Sequence, residues 1–184
     1  MDMVEKRPYT ATALETITAT PEEILSGVLD EEIYRRMTSV IETEAPVVES
    51  LMFKRVLNSL SLARVGSRLL SAFQKIAMTL PFPHEEYRNE NVYKNGKDEN
   101  FFRAPSSLYR YSYQIPLSEA VECLLYIMER ETRILTKAEL SVLFRNELGF
   151  ERMGSQVEAL FSDASRSGRL LKTGNGRFKP IADI

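Results

Sequence analysis

Arg64, Ser67 and Arg68 surround Gly66 in the order Arg-x-Gly-Ser-Arg, and 88 positions later Arg152, Gly154 and Ser155 repeat Arg-x-Gly-Ser. At the start of a helix such a group offers a phosphate backbone N–H donors, the positive end of the helix dipole and a guanidinium. The same residues also suit packing. A glycine in the first turn lets the preceding helix come close, and a serine hydroxyl can satisfy N–H groups that lack an intrahelical partner. Lys75 extends the outward face of the first copy and Gln156 that of the second.

Little other chemistry is within reach. His84 is the only histidine and Cys123 the only cysteine, so no zinc set, and no nucleophile with an imidazole base, can be assembled without His84. Gly96-Lys97 lacks the upstream glycine and the following Ser or Thr of a nucleotide-binding loop. The neighbouring carboxylates Glu22-Glu23, Glu31-Glu32 and Glu85-Glu86 face apart on a helix. The chain is expected not to be an enzyme and to need no cofactor and no metal.

The elements that would hold these residues follow from the same repeat. At the offset of 88, Ile33 aligns with Val121, Met37 with Leu125, Met52 with Leu140, Val56 with Phe144, Leu60 with Leu148, Leu62 with Phe150 and Phe73 with Phe161. Such self-similarity reads as a duplicated unit. Residues 1–29 are expected to be an arm and a short helix, capped by Thr20 with Pro21 at its first position and stopped by Gly27. In the first unit, 30–105, a helix capped by Asp30 ends near Glu44 before Pro46. Pro46 opens a second helix with Val48, Leu51, Met52, Val56 and Leu57 inward. The third helix turns Val65, Leu69, Ala72, Phe73, Ile76 and Leu80 inward and Arg64, Ser67, Arg68, Ser71, Gln74 and Lys75 outward. A hairpin around Asn95-Gly96 should follow, bringing Lys94, Lys97 and Arg103 beside that helix.

Residues 106–116 form a linker in which Tyr109, Tyr111 and Tyr113 alternate with Arg110 and Ser112. Alternation makes this an extended segment with one tyrosine face. That face is expected to pack between the units, the other reading being a stacking surface for unpaired bases. The second unit, 117–184, repeats the order: Leu117–Thr132, Thr136–Leu148 with Thr136 and Glu139 in a capping box, Arg152–Ser167, and a hairpin around Gly174-Asn175-Gly176 carrying Arg169, Lys172, Arg177 and Lys179. Three helices followed by a hairpin is the winged helix-turn-helix order. The fold class is therefore mainly α with small β-hairpin wings, a tandem of two such units.

Composition fits a globular chain, with 43% apolar and 27% charged residues in 184. No apolar run is long enough to span a membrane, and a single cysteine cannot form an internal disulfide, so a cytoplasmic address is expected. The net charge of −2 divides unevenly, with 11 acidic and 4 basic residues in positions 1–50 against 15 and 20 in the remainder.

IETEAPVVESLMFKRVLNSLSLARVGSRL and IPLSEAVECLLYIMERETRILTKAELSVLFRNELGFERMGSQV resemble the uncharacterised C-terminal domain of large bacterial superfamily I DNA helicase-like proteins, in which a glutamate, small residue, proline, valine start leads to Arg-x-Gly-Ser/Ala-Arg. The likeness covers roughly Asp30 to Lys179, and Val48 stands where that pattern carries a histidine. It implies an accessory module on a nucleic-acid motor or nuclease and no catalytic residue. DNA, with a helicase or nuclease in the same or a partner chain, is the expected partner. The alternative is protein docking or dimerisation. An exposed apolar patch on the outward face of either last helix would favour docking, and a continuous basic strip would favour DNA.

Overall fold

The computed structural model describes residues 3–97 and 99–181. The first two residues of the expected arm, Asp98 of the expected first hairpin and the last three residues of the second unit lie outside the described residues. The chain is mostly helical, with small sheets. It divides into two compact units, one spanning Ala11–Lys97, the other joining the described residues up to Thr10 to those after Lys97.

In the Ala11–Lys97 unit, α1 (Pro21–Leu25) starts where the sequence places it. Thr20 and Glu23 exchange capping bonds, with the Glu23 N–H donating to the Thr20 hydroxyl at 3.2 Å and the Thr20 N–H to the Glu23 carboxylate at 2.8 Å. In α2 (Asp30–Glu44) the N-cap is Leu29, and Asp30 is the first helical residue rather than the cap. The next helix does not open at Pro46. Val47–Val48 form a short strand, β2, and α3 (Glu49–Ser59) follows. Two adjacent β-branched residues suit a ladder better than a first helical turn, and here Val47 lies opposite Tyr93 and Val48 opposite Val92. After α4 (Ser67–Ala77), β3 (His84–Tyr87) and β4 (Glu90–Tyr93) form a hairpin whose turn residues, Arg88 and Asn89, both have positive φ. The sheet order is β2-β4-β3. Asn95-Gly96 therefore lies beyond the hairpin and not at its turn.

Residues 11–20 are pinned to this unit. The Ile17 and Ala19 N–H groups donate to the Ser59 and Leu60 carbonyls at 2.8 and 3.1 Å, and buried Glu44 accepts from both the N–H and the hydroxyl of Thr12 at 2.8 Å.

In the other unit β1 (Glu5–Pro8) pairs in parallel with β5 (Phe101–Ala104), with Glu5 opposite Phe101 and Pro8 opposite Ala104. Four residues of the expected arm thus form a strand, and the expected second half of the first hairpin is its partner. A parallel pair needs a long crossover and leaves no local turn signal. A 3-10 turn at Ser112–Gln114 leads to α5 (Leu117–Arg130), α6 (Lys137–Glu147) and α7 (Ser155–Ser165). Lys172 and Leu135 each bridge Phe178 in antiparallel fashion, so a minimal three-strand arrangement repeats the β2-β4-β3 order: one strand before the second helix of the unit, two after the third.

The helices match at the offset read from sequence. α3 and α6 begin and end 88 positions apart, as do α4 and α7. Ile33, Met37, Met52, Val56, Leu60 and Phe73 are buried, and so are their counterparts Val121, Leu125, Leu140, Phe144, Leu148 and Phe161.

Candidate nucleic-acid interface

α4 forms because every third or fourth residue is apolar. Leu69, Phe73, Ile76 and Ala77 are buried, with Phe73 edge-on to Phe53 at 5.5 Å. Arg64, Ser67, Arg68, Ser71, Gln74 and Lys75 are exposed as expected, and the helix carries no carboxylate. Lys75, in the last turn, also complements the helix dipole. Val65 departs from expectation: it is 37% exposed and, with Leu70 at 42%, gives this surface an apolar edge.

Two clefts flank α4. On one side a cleft of about 810 Å³ is lined by Arg68, Ser71 and Lys75 facing Asp30, Glu31 and Tyr34. On the other an apolar groove of about 330 Å³ is lined by Phe53, Leu57, Leu62, Val65, Leu70 and Phe73. The packing role expected for the glycines is not what the geometry gives. A Cβ on Gly66 or Gly154 would meet nothing within 4 Å, both residues have ordinary negative φ as N-caps, and neither helix has a side-chain cap bond. The first N–H groups of α4 and α7 thus receive no capping side chain, and the approach over each glycine is open.

The hairpin next to α4 is acidic rather than basic. β3 and β4 carry Glu85, Glu86 and Glu90, and Lys94 is tied to Glu85 at 3.3 Å. Lys97 is exposed beyond the hairpin. Arg103 is corrected outright: it belongs to β5 of the other unit, is only 7% exposed, and holds Glu119 at 2.7 Å.

In the second unit the pattern is reversed. α7 exposes Ser155 and Gln156 but also Glu158, and it contains no basic residue; exposed Arg152 precedes it. The strands after it are basic, and from Ala164 to Ile181 there is no carboxylate. Arg169 pairs with Glu122, and the Lys172 ammonium donates to the Ser165 carbonyl at 2.8 Å. Arg177 and Lys179 are exposed on either side of buried Phe178.

The tyrosine segment alternates in burial as the sequence implies, but it closes in a 3-10 turn at Ser112–Gln114 instead of staying extended, and its rings are exposed instead of packed. Tyr109, Tyr111 and Tyr113 are 68%, 48% and 51% exposed, whereas Arg110, Ser112 and Gln114 are buried. Ring centroids are 5.5 Å apart for Tyr109 and Tyr111, nearly perpendicular, and 5.6 Å for Tyr111 and Tyr113, parallel within 3°. Arg110 and Arg103 both donate to the buried Glu119 carboxylate. Burial alone would raise the pKa of Glu119, but the two guanidiniums outweigh it and hold the group at about 2. Sequence reasoning did not single out Glu119 or its role for Arg110. The available signal was a charged residue on the inward side of an alternating segment, which demands an opposite charge nearby.

Among the described residues no group of three or more His, Cys, Asp or Glu is placed to hold a metal, and no helix is long and apolar enough to cross a membrane. No curated protein and no solved structure matches the chain. A family model described as a protein of unknown function, DUF3320, matches residues 22–71, from the start of α1 to the middle of α4.

Proposed function

We propose that the chain is a tandem of two winged helix-turn-helix units, in Asp30–Tyr93 and Leu117–Phe178, that binds duplex or junction DNA without catalysing a reaction, as an accessory to a helicase or nuclease. The order helix, strand, helix, helix, two strands in the first unit, the helices with isolated antiparallel bridges at the corresponding places in the second, and the matching bounds of the last two helices support the fold reading. In that fold the third helix and the hairpin are the elements that meet nucleic acid. The observation that carries the reading is that each unit has one of these two elements cationic with no carboxylate of its own: α4 with preceding Arg64 in the first, and the segment bearing Arg177 and Lys179 in the second.

Anisotropy of a labelled duplex over a salt series tests this. Each phosphate contact contributes a slope of about 0.9 in log affinity against log salt. Replacing Arg64 and Arg68 together by alanine should flatten the slope by nearly two such contacts, and Arg177→Ala with Lys179→Ala should do the same. The absence of duplex or forked-DNA binding by the folded protein at ~50 mM salt would overturn the reading, because a nonspecific electrostatic term is visible there.

A second reading, protein docking, is favoured by one observation, the apolar groove bordered by exposed Val65 and Leu70 beside α4. Loss of DNA binding in the test above would make this groove the working surface.

A further inference from the structure

We propose that Tyr109, Tyr111 and Tyr113 form a stacking platform for unpaired nucleotides, with the nucleotide phosphates lying toward Arg177 and Lys179. This site is separate from α4 and stands or falls without it.

Three aromatic rings exposed in a row are a cost to a soluble surface unless something covers them. Here the backbone beneath them is held rigid. Arg110 is locked into Glu119, the Tyr111 N–H donates to the Gln114 side-chain oxygen at 3.0 Å, and Ser112 and Gln114 are buried. The rings themselves are ordered by one another, Tyr111 and Tyr113 in parallel and Tyr109 edge-on, with the Tyr109 and Tyr111 hydroxyls 3.4 Å apart. A platform ordered in advance loses little entropy when a flat ligand stacks on it. Every base has a π-face, so such a platform accepts any sequence.

Charge identifies the occupant. Glu119 and Glu122 lie one turn apart on the same face of α5. Glu119 holds Arg110, directly behind the tyrosines, and Glu122 holds Arg169, at the base of the basic strands. Arg110, behind the tyrosines, and Arg169, where the cationic segment begins, are therefore fastened one turn apart on α5, and an extended strand stacked on the rings can run from there along the segment to Arg177 and Lys179. A proline-rich peptide would also use an aromatic row, but it has no need of Lys172, Arg177 and Lys179 in a segment free of carboxylates. A single strand, with bases and phosphates side by side, uses both.

The chain has no tryptophan and eight tyrosines, so quenching of tyrosine emission is followed in the parent, while the affinities of parent and variants are read from the anisotropy of an end-labelled oligonucleotide. The full chain is titrated with an oligothymidylate of roughly 12 nucleotides, within the usual range of single-strand sites. We expect quenching of tyrosine emission on binding. The triple Tyr109→Ala, Tyr111→Ala, Tyr113→Ala variant should lose at least about tenfold in affinity, the corresponding triple Phe variant should stay within about twofold, and Arg177→Ala with Lys179→Ala should flatten the salt slope at about 0.7 per contact. Arg64→Ala with Arg68→Ala should leave oligothymidylate affinity unchanged, which separates this site from the duplex surface of α4. Because the rings are exposed, the alanine triple is expected to melt as the parent does. Absence of quenching in the parent, an alanine triple that binds as tightly as the parent, a phenylalanine triple that fails as badly as the alanine one, or a proline-rich peptide that binds the parent where oligothymidylate does not would each overturn the proposal.

Discussion

In the Ala11–Lys97 unit the last helix, α4, is basic and the hairpin after it acidic; in the other unit α7 has acidic residues and no basic ones, and the strands after it are basic with no acidic ones. Ile33, Met37, Met52, Val56, Leu60 and Phe73 nevertheless have buried counterparts at a constant offset, and Phe73 and Phe161 each face a ring on the helix before, Phe53 and Phe144, although those two rings stand at different positions of their helices. Buried residues are tied to one another by packing, so they must change together. Exposed residues are not tied in this way, and the charge of one face can invert on an unchanged frame. The lesson is that the shared frame says nothing about shared work: if both units meet nucleic acid, they do so with different elements.

The largest effects should come from removing what the frame has in common. Phe73→Ala and Phe161→Ala should each cost about 3–5 kcal/mol, because both rings are buried. Equal losses in chemical denaturation would sharpen the comparison, and a loss below about 1 kcal/mol at either would show that the rings do not play the same part.

Next comes a position where the frames diverge. Glu119 corresponds at the same offset to Glu31, which is exposed at the rim of the cleft beside α4. Glu119→Gln leaves two buried guanidiniums without a counter-charge and should cost about 3–5 kcal/mol, whereas Glu31→Gln should scarcely move the melting temperature. The pH dependence carries the same signature. The folded pKa of Glu119 lies below its ordinary 4.5, at about 2, so its stabilisation is complete above 4.5 and is lost as pH falls through that window. Melting followed from neutral pH down to pH ~2 should show this loss in the parent and a flatter profile in Glu119→Gln. An unchanged acid profile would mean that the cluster does not hold the second unit together.

The smallest stability effect contrasts Gly149 with Ser61, which both follow the second helix of a unit and both have left-handed backbone, φ 73° and 60°. A Cβ at Gly149 would also run into the Pro105 ring. Gly149→Ala should therefore cost more than ~1 kcal/mol, while Ser61→Gly, which relieves the left-handed backbone but gives up the 2.8 Å bond from the Ser61 hydroxyl to the Ile17 carbonyl, should change stability by less than about 1 kcal/mol. If both were neutral, the two turns would be interchangeable and Pro105 would be free to move aside.

Local pattern was enough to find every long helix and most of their inward faces, Val65 excepted, and to match the last two helices of one unit with those of the other. Helical hydrogen bonds join residues four apart and caps act within one turn, so Thr20, Thr136, Glu139, Gly149 and the apolar period carry their own signal. The segment matched by the family model, residues 22–71, overlaps the first of the two stretches that carry the resemblance. Which extended residues became strands, and which charges stayed available, depended on contacts between distant segments. Glu5–Pro8 is a strand because Phe101–Ala104 lies beside it, Val47–Val48 because Tyr93 and Val92 do, and Lys94 and Arg103 are bound because Glu85 and Glu119 come within reach. The strand partners lie tens of residues away and the charge partners lie beyond a helical turn, in another element, so no local spacing encodes either. The tyrosine row shows both sides of this division: its alternation was readable in the sequence, and the direction it faces was set by Glu119, which claimed Arg110 for the interior.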